Sequence, residues 1–487
     1  MSNLIKNELT KIFKKKGIYI TLLVVLAFII LTNCIYKYFY NDDVSSYYYS
    51  EDYIEYAKQD ISKLDPNKPS DTAKYIELKT QIDIYDIIRK YDSKSWQREV
   101  GGNEIATYVN EKNTYLYGEN KDEKKAHDVQ NKIDETIKKL DENDWEYFAT
   151  KELERAQENV KNIEEQQKNT DNKQQLEILE EDVKLAKIDL QVARYRVEKQ
   201  IKYGNNYLNT ALNEYQNESK NIEQMKKSEA EMSYKIKKEY RQSIENKEIS
   251  KYIIENNQDI NKTDDIRGIL KDFFSQYGLF IIVMVVMIAG TIVSEEFSKG
   301  TIKLLLIKPY DRNKILLSKF ITVFIMIAFS IIAVLGMELI VGGIIFGYDS
   351  LSVPVIQYDF NTNTLVSMNI FAYVAIKLLL QLPIIILLAT LAFAFSTIFT
   401  NSAIAVALPL LGYMGSSVIN LLIVQYNVKF MRFFVTPNWD FSEYLFGKLP
   451  MMEGLTANFS AIVCVVYFLV MIIPTFIIFK RKNIKNI

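Results

Sequence analysis

Cysteine and histidine are nearly absent from this sequence of 487 residues. The two cysteines, Cys34 and Cys464, fall in long apolar runs, so the polar part of the chain must fold without disulfides. His127 is the single histidine, which excludes histidine dyads, histidine clusters and H-E-x-x-H zinc sites by number alone. Its Lys- and Asp-rich surroundings predict a solvated surface residue.

The phosphate loop G-x-x-x-x-G-K-[ST], whose backbone amides hold the phosphates of ATP, is also missing. Gly447 and Lys448 form the only Gly-Lys pair, Leu449 follows them, and no G-x-G-x-x-G occurs. Any ATP hydrolysis linked to this chain must therefore take place on another polypeptide.

Charge is scarce in most of the chain and concentrated in one segment. Residues 41–272 hold 39 basic and 50 acidic side chains, a net charge of −11. Residues 1–40 and 273–487 together carry 20 basic and 10 acidic groups and contain apolar runs of about 20 residues. A helix of that length crosses about 30 Å of hydrocarbon, so a soluble enzyme is excluded and an all-α membrane protein is predicted.

The apolar runs predict six membrane-spanning helices. The spans are 17–40, 273–293, 315–346, 369–399, 402–424 and 459–479. The first run is too long for a cleavable signal peptide and lacks a small-residue cleavage site, so it is expected to remain as an anchor. Residues 1–16 place apolar and lysine positions on different faces, which predicts an amphipathic helix in the membrane interface. A merely cationic leader that fixes orientation is the alternative.

The distribution of lysine and arginine predicts the orientation. Six spans put both termini on one side, and a cytosolic N-terminus places 15 of the 20 basic residues outside segment 41–272 in cytosolic segments. The expected protein is therefore a multi-pass protein of the plasma membrane with cytosolic termini and an extracellular segment 41–272.

The extracellular segment is expected to be mostly helical. A heptad seam is formed by Leu176, Leu179, Val183, Ala186, Leu190, Ala193 and Val197. Breaks at 169–172 and 204–206 predict antiparallel helical hairpins, although the heptad pattern leaves open an intermolecular coiled coil in a dimer. Residues 42–117, which are richer in tyrosine, are expected to form a smaller mixed subdomain.

The link 294–314 between the second and third spans has an ordered pattern. Glu295 and Glu296 end the span, Gly300 breaks the helix, a short amphipathic helix is expected at 301–307, and Pro309 stops it. Such a helix, held at the membrane surface by spans on both sides, can transmit a push from a cytosolic partner. A connecting loop would explain the basic residues of the link but not the order of these signals.

With this link, the sequence resembles the type 2 permeases of ATP-binding-cassette (ABC) transporters, in the subset with a large extracellular domain between the first two spans. The matching residues of the link are Glu295, Glu296, Gly300, Thr301, Leu304, Leu305, Leu306, Pro309, Arg312 and Lys319. Segments 7–16 and 391–405 also look like the family. The resemblance covers residues 1–40 and about 273–487, whereas segment 41–272 agrees in position only.

The resemblance implies a six-helix half-transporter, not itself an enzyme, that dimerises with an identical or related permease subunit. It implies that a cytosolic ATPase subunit, which binds ATP and Mg²⁺, docks on the link. The residues that would couple the two chains are Glu295, Glu296, Gly300, Thr301, Leu304, Pro309 and Arg312. The aromatic external loop 425–458 is expected to form a re-entrant helical element.

No cofactor, metal, catalytic residue or nucleic-acid partner is expected for this chain. Membrane lipid and an extracellular peptide or envelope protein are further expected partners. The substrate is expected to be amphipathic, peptide or lipid-like, and the outer domain is expected to gate, recruit or recognise it.

Two features inside the spans are candidates for further roles. Glu338 and Lys377 lie about eight residues from the outer ends of the third and fourth spans, so they are predicted to pair at one depth. The fifth span has small residues and a proline, which predict close packing against a neighbouring helix or a dimer contact. These residues are Ala403, Ala407, Pro409, Gly412, Gly415 and Ser416.

Two other classes of function fit the topology. A non-transporting scaffold or receptor, of the phage-receptor or secretion-accessory type, would have the same arrangement but no use for a docking helix in the link. A membrane enzyme would need a nucleophile and a base within the spans, and no such constellation occurs in the sequence. The link therefore favours the membrane subunit of an ATP-driven exporter.

Overall fold

The computed structural model describes residues 1–39, 51–226, 233–302, 310–426 and 428–482. The chain forms two compact units. The first, the membrane unit, consists of Met1–Asn41 and Ile260–Ile487, and the second, the polar unit, is Asp42–Asp259.

Helices dominate both units. In chain order they are α1 (Ser2–Phe13), α2 (Lys16–Phe39), α3 (Glu51–Ile61), α4 (Pro69–Ile88), α5 (Trp96–Tyr117), α6 (Glu123–Asp141), α7 (Trp145–Lys168), α8 (Lys173–Glu198), α9 (Tyr207–Lys226), α10 (Tyr234–Asn256), α11 (Ile266–Lys271), α12 (Phe273–Thr291), α13 (Ser294–Ser298), α14 (Arg312–Phe346), α15 (Ile370–Ile398), α16 (Ser402–Tyr426) and α17 (Ala457–Arg481). The strands β1 (Val355–Asp359) and β2 (Thr364–Met368) form an antiparallel hairpin.

Six helices among the described residues are long and apolar enough to cross a membrane: α2, α12, α14, α15, α16 and α17. The prediction of an all-α membrane protein with six spans is confirmed at this level. Helix α12 is the centre of the bundle and packs against α2, α14, α15 and α16. At Gly290 an added Cβ would lie 2.7 Å from Val406 and 3.1 Å from the backbone of Ala405, so the glycine permits the close approach of α12 and α16.

The third span, α14, has 35 residues and is therefore about 52 Å long, more than the hydrocarbon layer requires. It begins after Asp311, whose side chain accepts a hydrogen bond from the amide of Asn313. It ends at Gly347, whose φ of +82° is unfavourable for other residues. Part of α14 must project beyond the apolar layer.

Two connections between spans contain secondary structure of their own. β1 and β2 lie between α14 and α15, with Val355 opposite Met368 and Asp359 opposite Thr364. The stretch 425–458 contains the 3₁₀ helices Lys429–Phe433 and Phe441–Gly447. It is anchored by buried Asn438, whose side-chain amide donates to two backbone carbonyls of the same loop.

The polar unit consists of helices packed in antiparallel pairs. α7 packs on α8 and α9 on α10, and the pairs are joined through α8 and α9. In the second pair, Asn246 donates to Glu218 at 3.0 Å and Ser250 donates to Glu214 at 2.8 Å, as antiparallel helices require. The expected mixed subdomain is wrong for the described residues 51–117, which form α3, α4 and α5, because their tyrosines lie on helical rather than extended backbone.

The heptad seam of α8 is buried within one chain. Its buried members are Leu179, Val183, Ala186 and Ala193, and Lys187 bridges to Glu164 of α7 at 2.9 Å beside them. The heptad pattern left open whether the seam packs within one chain or between two chains. In the structure the seam packs within one polar unit.

Val183→Asp is expected to destabilise the polar unit by about 3 kcal/mol, because it buries an unpaired charge in this seam. The measurement is thermal unfolding of residues 42–259 followed by circular dichroism. Ile178→Asp is the matched control, since Ile178 lies on the same helix but is 60% exposed, against 8% for Val183. Its effect should stay within about 0.5 kcal/mol. Equal effects of the two changes would mean that the seam is solvated.

Candidate functional site

The candidate site lies where α12 ends and α14 begins, which we call the link end of the membrane unit. The opposite end, which carries β1 and β2, is the hairpin end. At the link end Lys319 of α14 is 1% exposed. Its Nζ lies 2.8 Å from Glu8 Oε2, 2.8 Å from Glu296 Oε1 and 3.0 Å from the carbonyl oxygen of Ile292. One ammonium thus joins α1, the end of α12, α13 and α14.

A second lysine completes the network. Lys11 Nζ lies 2.8 Å from both Glu8 Oε1 and Glu296 Oε1, and its side chain is half exposed. Glu8, Lys11, Glu296 and Lys319 form two cations and two carboxylates, which we call the ionic cluster. Both carboxylates are at most about one-tenth exposed. A buried carboxylate stays ionised only when cations lie beside it, so Glu8 and Glu296 depend on Lys11 and Lys319 for their negative charge.

The ionic cluster changes the acidity of its members on α1. Burial alone would raise the pKa of Glu8, but the charge of Lys319 and hydrogen bonds from Lys11 and Lys319 outweigh it, so this pKa lies below its usual value. Burial lowers the pKa of Lys11, and hydrogen bonds to Glu296 and Glu8 reverse the effect, leaving that pKa above its usual value. Both groups are therefore charged at neutral pH.

Serine hydroxyls fix the start of the link against two further spans. Ser396 Oγ of α15 accepts hydrogen bonds from the amides of Val293 and Ser294 at 3.1 and 3.0 Å. Ser294 Oγ donates to the carbonyl of Gly290 and lies 2.8 Å from Ser402 Oγ of α16. Sequence reasoning missed Ser396 and Ser402, although both lie in segment 391–405, which the sequence analysis had singled out.

Phe297 connects the link to the last span. Its ring packs edge-on against Phe479, and Lys482 Nζ lies 4.2 Å from its centroid. Lys482 also donates to the carbonyls of Thr397 and Ile398. Carbonyls in the last turn of a helix lack a partner within the helix, so Lys482 supplies one at the end of α15. Burial lowers the pKa of Lys482. The side chain thus joins the link, α15 and the end of α17.

The predicted coupling residues are only partly within the described chain. Glu295 pairs with Lys15 at 2.8 Å, and Thr301 Oγ1 donates to the carbonyl of Glu296 at 3.5 Å. Gly300 has a φ of +69° and open space where a side chain would be. Arg312 donates to the carbonyls of Lys480 and Lys482, both at 3.1 Å. Leu304, Pro309 and the predicted helix 301–307 from residue 303 onward lie outside the described residues.

The predicted pair of Glu338 and Lys377 is wrong. Glu338 is fully buried, and its Oε2 accepts from Asn33 Nδ2 of α2 at 3.0 Å. Lys377 instead donates to the carbonyl of Lys271 at 2.9 Å and to Asp272 at 3.1 Å. The sequence argument placed both residues at similar depth but did not fix the direction in which each helix turns its side chain.

Glu338→Gln and Lys377→Met should therefore be additive in a double-mutant cycle on thermal stability of the purified chain. Because the two side chains do not touch, the coupling energy is expected to lie within about 0.5 kcal/mol. Asn33→Ala with Glu338→Gln is the matched pair of contacting residues and should couple more strongly. Strong coupling between Glu338 and Lys377 would mean that the two side chains interact, as the sequence analysis predicted.

The small residues of α16 divide into two groups. Pro409 and Ser416 are buried within the chain. Gly412 and Gly415 have no other atoms within 4 Å of an added Cβ, so close packing inside the chain does not use them. Within the described ranges, no group of three or more His, Cys, Asp or Glu side chains could hold a metal ion.

Comparison with known proteins adds a family but no activity. A family described as "protein of unknown function (DUF2705)" matches residues 241–485. The uncharacterized protein YhcI of Bacillus subtilis (strain 168) is 30% identical over 210 residues, 43% of this chain and 65% of that protein. The uncharacterized membrane protein YdbK of the same organism is 29% identical over 202 residues, 42% of this chain and 77% of that protein. The chain thus spans 65% of the length of the first relative, and no solved structure matches it.

Proposed function

We propose that this chain, which belongs to the DUF2705 family, is the membrane subunit of an ATP-driven exporter that works as a dimer with a separate ATPase subunit. The observation that carries the proposal is the ionic cluster. It joins the start of the link to α1 and α14 through buried charges. Burying these charges costs desolvation energy that only their mutual contacts offset, so the link is held in one position relative to both helices. A loop that merely joins two spans would not need it.

The coupling route follows from the contacts of the link. An ATPase subunit would bind the exposed residues around Ser298 and Lys299. Its movement would reach the third span through Glu296 and Lys319, and the fourth and sixth spans through Phe297 and Lys482. Because α13 is tied on several sides, a push would move these helices together rather than bend the link.

ATP and Mg²⁺ would be bound by the ATPase subunit, since this chain lacks a phosphate loop. A second permease subunit, identical or related, would pack on α16, where Gly412 and Gly415 leave room for a close helix approach. Membrane lipid would surround α2 and α17. The polar unit would act on an amphipathic, peptide or lipid-like substrate, or on an extracellular peptide or envelope protein.

The proposal requires the link end to face the cytosol and the polar unit to face outward in the plasma membrane. Among described residues, the link end carries Lys11, Lys14, Lys15, Lys299, Arg312, Lys480 and Arg481. This excess of basic side chains supports the orientation, because cytosolic loops retain lysine and arginine.

Labelling of single cysteines on intact cells is expected to distinguish the two faces. In a Cys34→Ala, Cys464→Ala background, Ser62→Cys should react with an impermeant maleimide, because Ser62 is exposed on the polar unit. Ser298→Cys, exposed on the link, should react only after the membrane is permeabilised. Labelling of Ser298→Cys on intact cells would mean that the link end faces outward, opposite to the proposed orientation. It would exclude the exporter.

The exporter itself is tested by purifying the tagged chain from its native membrane and identifying the chains that accompany it. We expect a stoichiometric partner chain that has a phosphate loop. Its ATP turnover should change when amphipathic peptide or lipid is added. A chain that purifies without such a partner would favour the scaffold or receptor.

A further inference from the structure

A groove runs along α12 at the link end of the membrane unit, between that helix and the corner where α1 meets α2. Its volume is about 300 Å³, at the lower end of the range for ligand sites. One wall is a single face of the second span, because its residues recur at spacings of three and four: Met284, Ile288, Thr291 and Glu295. The opposite wall consists of Ile12, Lys15, Gly17, Ile18 and Thr21. We call this space the α2–α12 groove.

The depth of the α2–α12 groove is close to that of one bilayer leaflet. Met284 and Thr291 are about 10 Å apart along the helix, and Glu295 lies about one turn further toward the link. Half of a hydrocarbon layer of about 30 Å is about 15 Å. Most of α2 is not buried inside the protein, and Ile20, next to Thr21 in the sequence, is 60% exposed. The groove is therefore accessible to the acyl chains of the leaflet at the link end.

The hydroxyl groups in the walls already have hydrogen-bond partners within their own helices. Thr21 Oγ1 donates to the carbonyl of Gly17 at 2.9 Å, and Thr291 Oγ1 donates to the carbonyl of Met287 at 2.8 Å. The other side chains deep in the groove are aliphatic or, at Met284 and Met287, flexible thioethers that adapt to irregular apolar shapes. An occupant of this part of the groove therefore needs no hydrogen-bonding groups.

The mouth of the α2–α12 groove is charged, in contrast to its depth. Lys15 Nζ lies 2.8 Å from Glu295 Oε2, and Lys299 pairs with the same carboxylate at 3.4 Å. Lys14 and Lys16, on either side of Lys15 in the sequence, are exposed. Lysines near a membrane surface attract anionic lipid headgroups. The groove thus combines an apolar interior with a mouth that favours a negative headgroup, which is the pattern of an anionic phospholipid.

We propose that the α2–α12 groove binds one acyl chain of an anionic phospholipid. The chain lies between α2 and α12, and the headgroup phosphate contacts Lys14 and Lys16 at the membrane surface. The site is next to the ionic cluster but uses none of its four residues, and binding does not depend on transport.

The test uses the full-length chain, purified in detergent and freed of phospholipid. Dioleoyl phosphatidylglycerol is titrated in mixed micelles, and the lipid retained by each chain is counted by native mass spectrometry. One phosphatidylglycerol per chain should bind saturably and raise the Tm, because a ligand that binds the folded state stabilises it. Dioleoyl phosphatidylcholine should bind at least tenfold more weakly, since its headgroup has no net charge.

A phosphatidylglycerol with a photoreactive group on one acyl chain then locates the bound chain. Crosslinks should concentrate on Met284, Met287 and Ile288, which line the groove. Leu411 of α16 and Ile477 of α17 are exposed apolar side chains on other spans, so they report non-specific contact with lipid. Equal crosslinking of these two residues and of the groove would contradict the proposal.

Gly17→Phe should close the groove. No atom lies within 4 Å of an added Cβ at Gly17, so the ring can occupy the groove without displacing the protein. Binding of phosphatidylglycerol should weaken at least tenfold, while the Tm of the lipid-free chain stays unchanged. Ile20→Phe is the matched control, because Ile20 lies on the same helix and is exposed, and it should bind as the unaltered chain does.

A second pair of variants tests the headgroup. Lys14→Gln combined with Lys16→Gln should remove the tenfold preference for phosphatidylglycerol over phosphatidylcholine. Lys480→Gln is the control, because Lys480 is an exposed lysine at the link end that does not line the groove, and it should keep the preference.

Three results would overturn the proposal: no saturable binding of phosphatidylglycerol, equal binding of the two lipids, or equal binding by Gly17→Phe and Ile20→Phe. A chain that dimerises through the groove would overturn it as well, and this would appear as a dimer lost in Gly17→Phe without any change in lipid binding. If Gly17→Phe fails to fold, the positions of the crosslinks in the unaltered chain still decide.

Discussion

Lys319→Met is expected to lower the Tm of the purified chain more than any other single lysine change at the link end. It leaves the buried carboxylates of Glu8 and Glu296 without the cation that both contact at 2.8 Å. Removing one partner of a buried ion pair costs about 3–5 kcal/mol, because an uncompensated charge stays buried. Thermal unfolding in detergent measures the effect.

Lys299→Met is the matched control for this change. Lys299 lies on the same link, its side chain is 67% exposed, and it pairs with Glu295 one helical turn away at 3.4 Å. An exposed pair of this kind contributes at most about 1 kcal/mol. If Lys299→Met lowered the Tm as much as Lys319→Met, the ionic cluster would not hold the link end together.

The ionic cluster also predicts that the stability of the folded chain falls at acidic pH. The pKa of Glu8 is lower in the folded chain than in the unfolded one, where it is about 4.3. Its stabilising contribution is therefore present above that value and is lost as the pH falls through the folded pKa. Glu8→Gln should remove this part of the pH dependence, which unfolding measured from about pH 6 down to about pH 2 would reveal.

Gly300→Pro is expected to abolish substrate-stimulated ATP turnover in a reconstituted complex. The φ of +69° at Gly300 is closed to proline, whose ring fixes φ near −65°. The change also removes the hydrogen bond from the Gly300 amide to the carbonyl of Phe297 at 3.1 Å. The link would leave α13 in another direction while the spans stay folded, so insertion and Tm should change little.

Gly300→Asn separates backbone conformation from loss of glycine itself. Asparagine tolerates left-handed backbone better than other side chains, and nothing within 4 Å would clash with its Cβ. Gly300→Asn should therefore keep most of the turnover. If both variants lost ATP turnover at equal Tm, the link would require something other than the direction of the chain at Gly300. Full ATP turnover in Gly300→Pro would exclude coupling through this link.

The sequence predicted the spans well because their signal is local. An apolar run of about 20 residues has one stable arrangement in a membrane, whatever its neighbours are. The acidic residues of the link were found in the same way, since Glu295 and Glu296 interrupt an apolar pattern.

The partners of Glu296 could not be predicted, because they are distant in sequence. Lys11 lies 285 residues away, and Glu8 and Lys319, themselves 311 residues apart, meet only when α1 folds back beside α14. The error at Glu338 and Lys377 has the same origin: a count along a helix gives depth, whereas contact also needs the rotation of each helix. Lys482 entered the sequence argument only as one of the 15 cytosolic basic residues, although its side chain joins the link and α15 to the end of α17.

Coupling of the link to an ATPase is tested most directly by photo-crosslinking from position 298 in native membranes. A photoreactive residue at Ser298 should crosslink to a chain with a phosphate loop, because Ser298 is exposed on the link. The same residue at Ser62, exposed on the polar unit, should not, and Gly300→Pro should reduce the crosslink from Ser298. Absence of that crosslink, or an equal yield from Ser62, would contradict the claim that this link receives the energy of an ATPase.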